Sequence, residues 1–436
     1  MRKFNFKSLD EILVAAQNIG IDLPYNTDIS PLFESAKYGH CTLDNRFVIQ
    51  PMEGCDGTID GSPDELTIRR YKRFAGSGAG LIWAEACAIT KEARANPRQL
   101  FLDENNLNDY ADLVNMIKRE AKDKNGKDFS PVIFLQLTHS GRYSKSEGVS
   151  APIIANHCPL DATSGVTEDT LPATDDYLRS LPEKFAKSAK LALKAGFDGV
   201  DIKSCHRYLF SELLAAYARE NSVYGGESFE NRKRLLIETI NAVTEAVKGE
   251  MEITSRMNVY DGMEYPYGFG SDYSGKNLLM DEPLKLIGEM ISLGYQGINI
   301  TLGNPYFSPH LNRPYDTPIK GGYIADEDQI RGIYRFIEAT RAIKEMYTDL
   351  HVVLSGLTWA RSYFPFIASG VITKNWANSI GLGRMFFAYP DFIHDLRENG
   401  KLDDKKVCIA CSLCSQIMRN SGKAGCAMRD REIYKV

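Results

Sequence analysis

The chain has 436 residues, 43% hydrophobic and 25% charged, with 52 basic and 57 acidic side chains and a net charge of −5. This is globular composition; it excludes disordered, collagen-like and coiled-coil chains, and it offers no basic excess to neutralise nucleic-acid phosphates. No apolar run nears the roughly 18 residues of a membrane span, and MRKFNFKSLDEIL lacks the features of a signal peptide, so a cytoplasmic protein binding neither nucleic acid nor membrane is expected.

Length over the usual domain size suggests about three domains, or one α/β barrel with insertions. Along the chain, short apolar or β-branched runs at 46–52, 80–86, 131–137, 197–203, 251–257, 296–301, 351–356 and 377–384 read as strands, and the segments between them carry helical periodicity. Ser62-Pro63-Asp64-Glu65 has capping-box spacing with proline at the first helical position. Ser180 and Glu183 repeat the spacing, Ala195-Gly196 gives a helix stop, and Asp281-Glu282-Pro283 opens a further helix. Eight strands alternating with helices predict a (β/α)8 TIM barrel. A doubly wound sheet would need a glycine-rich turn after its first strand, and Pro51-Met52-Glu53-Gly54 is not one.

Catalytic groups of such barrels sit where the strands run out. Here those positions hold Glu53, Glu85, Gln136, Lys203, Arg256, Thr301, Ser355 and Arg384, a polar ring that points to a polar ligand. Long structureless loops follow the third and sixth strands, at 143–180 and 303–325, and the second, rich in aromatics and proline, suits a substrate lid. Of nine cysteines, an odd number that argues against a secreted disulfide framework, Cys408, Cys411, Cys414 and Cys426 crowd the last thirty residues.

Asn45 to Met52, Gly80 to Ala86, Gln136 to Arg142, Ala195 to Arg232 and Gly381 to Arg384 together resemble the Old Yellow Enzyme family of FMN-dependent ene-reductases, notably its 2,4-dienoyl-CoA reductase branch. The resemblance implies an N-terminal helical segment at 1–30, an FMN barrel at 31–400 and a cysteine-rich extension at 401–436. It implies FMN contacts from Pro51, Met52, Glu53, Ala86, Gln136, Arg256, Gly356, Gly383 and Arg384, with NAD(P)H as reductant. Chemistry agrees: Gly356, Gly383 and Arg384 offer N–H donors and a cation to a phosphate, and Gln136 and Arg256 offer donors to the ring's polar edge. The alternative for Arg256 is a structural ion pair inside the barrel.

The reaction centre departs from the relatives. The stretch Lys203-Ser204-Cys205-His206-Arg207-Tyr208-Leu209 keeps a histidine and a tyrosine but has lysine for the first histidine and Arg207 for a glycine. The resemblance implies that Lys203 and His206 hold a carbonyl oxygen and that Tyr208 delivers a proton. Cys55 falls near the position of an active-site tyrosine, and Glu53 where a threonine or cysteine commonly touches the flavin. The spacing Cys408-x2-Cys411-x2-Cys414-x11-Cys426 resembles the branch's [4Fe-4S] segment, with the middle gap one residue shorter; zinc and four reduced thiols are the alternatives. The long relatives carry FAD and NAD domains after this segment; with none read up to Val436, the expectation is that a cluster here would have no electron donor in the same chain.

The expected function is reduction of the C=C bond of a small α,β-unsaturated carbonyl compound; a homo-oligomer is compatible with it. The rival expectations are a Schiff-base aldolase using Lys203 and a flavin-binding electron carrier.

Overall fold

The computed structural model describes residues 3–435. Its central sheet is parallel throughout and comprises β1 (Phe47–Ile49), β2 (Leu81–Ala88), β3 (Val132–Thr138), β4 (Gly199–Ile202), β5 in two pieces (Glu252–Thr254 and Arg256–Asn258), β6 (Gly297–Thr301), β7 (His351–Leu354) and β8 (Ser379–Leu382). The first piece of β5 pairs with β4 and the second with β6, while β1 pairs with both β2 and β8. The break at Ser255 thus lets one stretch of chain serve both neighbours, and eight strands close into the expected barrel. A bridge between Ser204 and Met257 helps seal the seam.

Helices follow the strands, among them Glu65–Ala75, Leu107–Asn125, Leu181–Lys194, Phe229–Val247, Asp281–Ser292, Gln329–Met346 and Phe364–Thr373. Their ends differ in detail from the capping-box expectation. The first starts after Asp64, whose carboxylate accepts from the N–H of Glu65, because Ser62 is engaged in a turn with Thr58 and donates to Asp109 at 2.7 Å. Ser180 does precede its helix, but a short helix, Asp175–Arg179, runs directly into it and the Ser180 hydroxyl turns back to the Tyr177 carbonyl. Gly196 ends that helix at φ +89°, as a glycine stop should. The two long loops are not structureless: the first carries Asp161–Ser164 and Asp175–Arg179, the second a helical turn, Pro309–Asn312.

The N-terminal mouth is plugged by a hairpin, Ala36–Tyr38 with Cys41–Leu43. Tyr38 is fully buried against Phe134, Trp83 and His351, and its hydroxyl bonds Thr254 at 2.7 Å. With this end filled by side chains, a ligand reaches the barrel interior from the C-terminal face.

The cysteine-rich extension lies on that face. Ala424 donates to the Gly54 carbonyl at 2.7 Å, and Asp430 receives Arg69 and Arg73. Three further bonds reach the lid: Asp316 N–H to the Ala410 carbonyl (3.0 Å), Lys320 N–H to the Gln416 side chain (2.6 Å), and Arg419 to the Pro305 carbonyl (2.5 Å). Among the described residues, no helix is long and apolar enough to cross a membrane.

Candidate active site

A buried carboxylate organises the centre of the barrel. Asp201 on β4 accepts from Trp83 Nε1 (2.8 Å), Gln136 Nε2 (2.6 Å) and the Arg256 N–H (2.7 Å). Burial pushes its pKa up to about 6, against the pull of those three donors. Because Asp201 consumes a donor of the Gln136 amide, the carbonyl oxygen of Gln136 is the group left to meet a ligand N–H. Arg256 has no ion pair among the described residues, and its Nε is buried without a partner. The structural ion pair considered for it is therefore not formed; an uncompensated guanidinium here suits an anionic ligand edge.

Lys203, His206 and Tyr208 lie on the turn between β4 and the helix Leu209–Leu214. His206 and Arg207 both adopt left-handed backbone, at φ +62° and +60°. That conformation costs a non-glycine residue of order 1–3 kcal/mol, and it rotates the two side chains apart. Arg207 goes into the outer loop, fully buried, bonded to the Tyr267 carbonyl and paired with Asp261 at 3.5 Å. His206 turns inward, within 3.3 Å of Thr301 Oγ1 and 2.9 Å of Asn312 Nδ2. Lys203 is buried with its ammonium over the Tyr208 ring, and burial lowers its pKa while Cys205 and Glu53 oppose the shift. His206 is held well below its usual value by burial and by Arg256, Lys203 and Arg313, so it is neutral. The Tyr143 ring lies between two others, with centroids 5.5 Å from Tyr208 and 4.3 Å from Tyr306.

Of the eight strand-end positions, Gln136, Lys203, Arg256 and Thr301 converge here. Ser355 is taken into the interior by Gln50, which also pairs with Asn299. Glu53 sits at the edge, receiving Asn96 at 3.1 Å, and burial raises its pKa against the pull of Lys203. Cys55 is buried beside it. Glu85 is not part of the ring. A register shift between Ala84 and Ala86 turns it outward to Arg70, Tyr71 and the Gly54 N–H, where burial lifts it to about 7. Ala86 is buried just past the shift, and its carbonyl faces Gln99.

At the ends of β7 and β8 the fit to a phosphate is steric and electrostatic. Gly356 has φ +94°, and a Cβ there would collide with the Phe336 ring; a Cβ on Gly383 would lie 2.6 Å from the Met52 sulfur. Met52, beside the buried Pro51, thus backs onto the glycine of the phosphate corner. Arg384 bonds the Pro314 carbonyl at 2.9 Å and keeps Nη1 buried without a partner. These residues fit the ribityl phosphate of FMN.

All four tail cysteines line one cavity, with Arg384 at its wall. Left-handed Ala410 (φ +53°) and Ser412 (φ +59°) curl the loop so that Cys408, Cys411 and Cys414 face the same space as Cys426. The thiols are free, and Ala410 N–H donates to Cys408 Sγ at 3.4 Å. Among the described residues no three His, Cys, Asp or Glu side chains form a group that could hold a single metal ion. Shared lining fits a cofactor there only in part.

Sequence reasoning missed Asp201, Asn312 and Arg313. Asp201 was legible as a carboxylate set between the apolar Val200 and Ile202 within a strand. Asn312 and Arg313 lie in the suspected lid, where nothing local distinguishes them.

A closed parallel barrel with a guanidinium free of ion pairs among the described residues, an oriented glutamine, and glycines beside Arg384 at two strand ends is a fold and site that a flavin mononucleotide fits. Comparison with known proteins supplies the family. The chain matches the NADH:flavin oxidoreductase / NADH oxidase family over residues 31–306. It is 30% identical to an NADPH dehydrogenase of Clostridium acetobutylicum over 53% of this chain and 64% of that one. It is 24% identical to a cinnamate reductase of Clostridium sporogenes over 91% of this chain and 57% of that one. An Old Yellow Enzyme structure from Pichia sp. superposes with a TM-score of 0.64 at 20% identity, over 84% of this chain and 86% of that one. The chain belongs to the NADH:flavin oxidoreductase, or Old Yellow Enzyme, family. It spans 64% and 57% of the length of these two curated relatives.

Proposed function

We propose that this chain is an FMN-dependent reductase of the C=C bond in α,β-unsaturated carbonyl compounds, drawing electrons from NAD(P)H. The observation that carries this reading is the convergence of Lys203, His206 and Tyr208, from one strand end, over the Gln136–Asp201–Arg256 floor. Bound FMN supplies hydride chemistry. Gln136 and Arg256 orient the ring's polar edge, with Arg256 balancing negative charge there. Lys203 and neutral His206 hold the substrate oxygen, where charge grows as the alkene accepts hydride. Tyr208 holds the proton for the α-carbon; its pKa, raised well above the usual value by burial, keeps that proton in place at neutral pH. Tyr306, half-buried in the lid, stacks its ring near Tyr143 and covers the same side of the site.

The Schiff-base alternative needs Lys203 as a neutral amine. Burial pushes Lys203 toward that form, while its seat on an aromatic face and the charge of Glu53 oppose the shift, so experiment separates the two readings. The test is anaerobic: pre-reduced holoenzyme is mixed with 2-cyclohexenone or cinnamaldehyde and the flavin absorbance followed. Rapid reoxidation with formation of the saturated product supports the proposal. Borohydride trapping of a carbonyl compound on Lys203, with no flavin reoxidation, overturns it.

A further inference from the structure

We infer that Asn312, carried on the lid, sets the tautomer of His206 and so decides which imidazole nitrogen can donate a hydrogen bond to the substrate. The inference rests on the reading of His206 as a donor to the substrate oxygen and adds the device that makes it one.

The argument starts from the Leu302 carbonyl, which can only accept. Asn312 Nδ2 lies 3.1 Å from it, which fixes the amide: the nitrogen, not the oxygen, faces β6. The same nitrogen is 2.9 Å from His206 Nε2. One N–H of the amide serves Leu302; the other lies between the imidazole and Thr301 Oγ1, 3.3 Å away, with the ring nitrogen at 2.9 Å the nearer acceptor. A proton on Nε2 would set two N–H groups head to head, so Nε2 is the acceptor. Thr301 Oγ1, 3.3 Å from the same nitrogen, is a second group able to donate to it. Double protonation is opposed by Lys203, Arg256 and Arg313, the charged groups that face the ring from β4, β5 and the lid. The proton of the neutral ring is left on Nδ1.

The backbone completes the arrangement. Asn258 accepts the His206 N–H at 3.2 Å, and Asn304, also in the lid, reaches the His206 carbonyl at 3.5 Å. Two lid asparagines therefore hold one residue, Asn304 by its main chain and Asn312 by its ring. With the lid withdrawn, Nε2 loses Asn312 and the preference for Nδ1–H weakens. Asn312 is a positioning residue in this scheme, and a donor aimed at the substrate exists when the lid is down.

The test uses FMN-loaded protein with 15N-histidine, the His206 signals being assigned by their loss in His206→Gln. The expected spectrum has a protonated Nδ1 and a pyridine-like Nε2. Asn312→Asp replaces the donor with an acceptor and should move the proton to Nε2 or protonate both nitrogens. It should slow flavin reoxidation by enone about tenfold or more, in kcat rather than KM, while reduction by NAD(P)H stays within about twofold. A protonated Nε2 in the unaltered enzyme, or unchanged shifts in Asn312→Asp, overturns the inference. If the proton moves as expected but reoxidation keeps its rate, the role of Asn312 stands and His206 is not the oxygen's donor.

Discussion

Lys203 holds its ammonium 3.5 Å from the centroid of the Tyr208 ring, so the lysine reaches over the tyrosine it shares a turn with. The contact fixes the long side chain at the end of β4 and stabilises its charged form. Removing one donor from an anion-stabilising site costs about 2.7–4 kcal/mol. Lys203→Met should thus slow flavin reoxidation by enone about a hundredfold or more with FMN still bound. His206→Ala should act similarly, and the two losses should not add, because both donors serve one oxygen. Since burial lowers the Lys203 pKa, the reoxidation rate should fall as pH rises through a value below that of free lysine. Lys203→Arg should remove that limb of the profile. Stopped-flow rates across pH check both points.

Flavin retention should depend on Asp201 through the three groups it holds in place. Asp201→Asn leaves one carbonyl oxygen for three donors, so Gln136, Trp83 or the Arg256 N–H goes unpaired, a penalty of about 1–3 kcal/mol. FMN and riboflavin affinities should fall together in this variant. In Arg384→Ala the FMN affinity should fall much further than that of riboflavin. Equilibrium titration of apoprotein with each ligand separates the ring end from the phosphate end.

The four tail thiols give an elemental prediction. If they carry a cluster, anaerobically prepared protein should hold close to four irons per chain, and Cys411→Ser should lower that content. Because the tail holds the lid and the Gly54 loop, the same variant should loosen enone binding and raise KM. Iron and zinc analysis alongside steady-state kinetics reads both effects.

Acid should attack the plugged end of the barrel first. His351 is buried with its pKa lowered to about 3, its nitrogens engaged by the Lys37 carbonyl and Ser379. The unfolded chain takes up this proton near pH 6.5 and the folded chain near 3, so stability from this group is present above pH 6.5 and is lost as pH falls toward 3. At pH 5 the loss is roughly 2 kcal/mol. His351→Asn, less stable at pH 7.5, should lose less stability than the unaltered protein between pH 7.5 and 5, measured by urea unfolding.

The barrel was legible because each strand is a compact apolar run with a polar residue at its exit, and those runs recur with helices between them. The site was legible only in part. Gln136, Lys203, Arg256 and Thr301 sit where the pattern puts them, since the barrel fixes where a strand exit points. Glu85 does not, because a one-residue shift at Ala84 reverses its face, and alternation carries no sign of such a shift. The Ser62 box failed to form because its hydroxyl finds a tertiary partner, Asp109, 47 positions away. Asn312 matters through Leu302 and His206, a geometry that exists once the lid has folded back.

The strap formed by residues 401–435 changes what counts as the barrel's edge. Four of its bonds go to Gly54, Pro305, Asp316 and Lys320, in loops at the C-terminal face of the barrel, and Asp430 ties it to Arg69 and Arg73 on the helix Glu65–Ala75. A chain trimmed after Gly400 would keep every strand and still lose the anchors of its lid. Protease cutting at exposed lid positions such as Ile324 should therefore speed up in the trimmed chain while far-ultraviolet circular dichroism from the barrel helices persists.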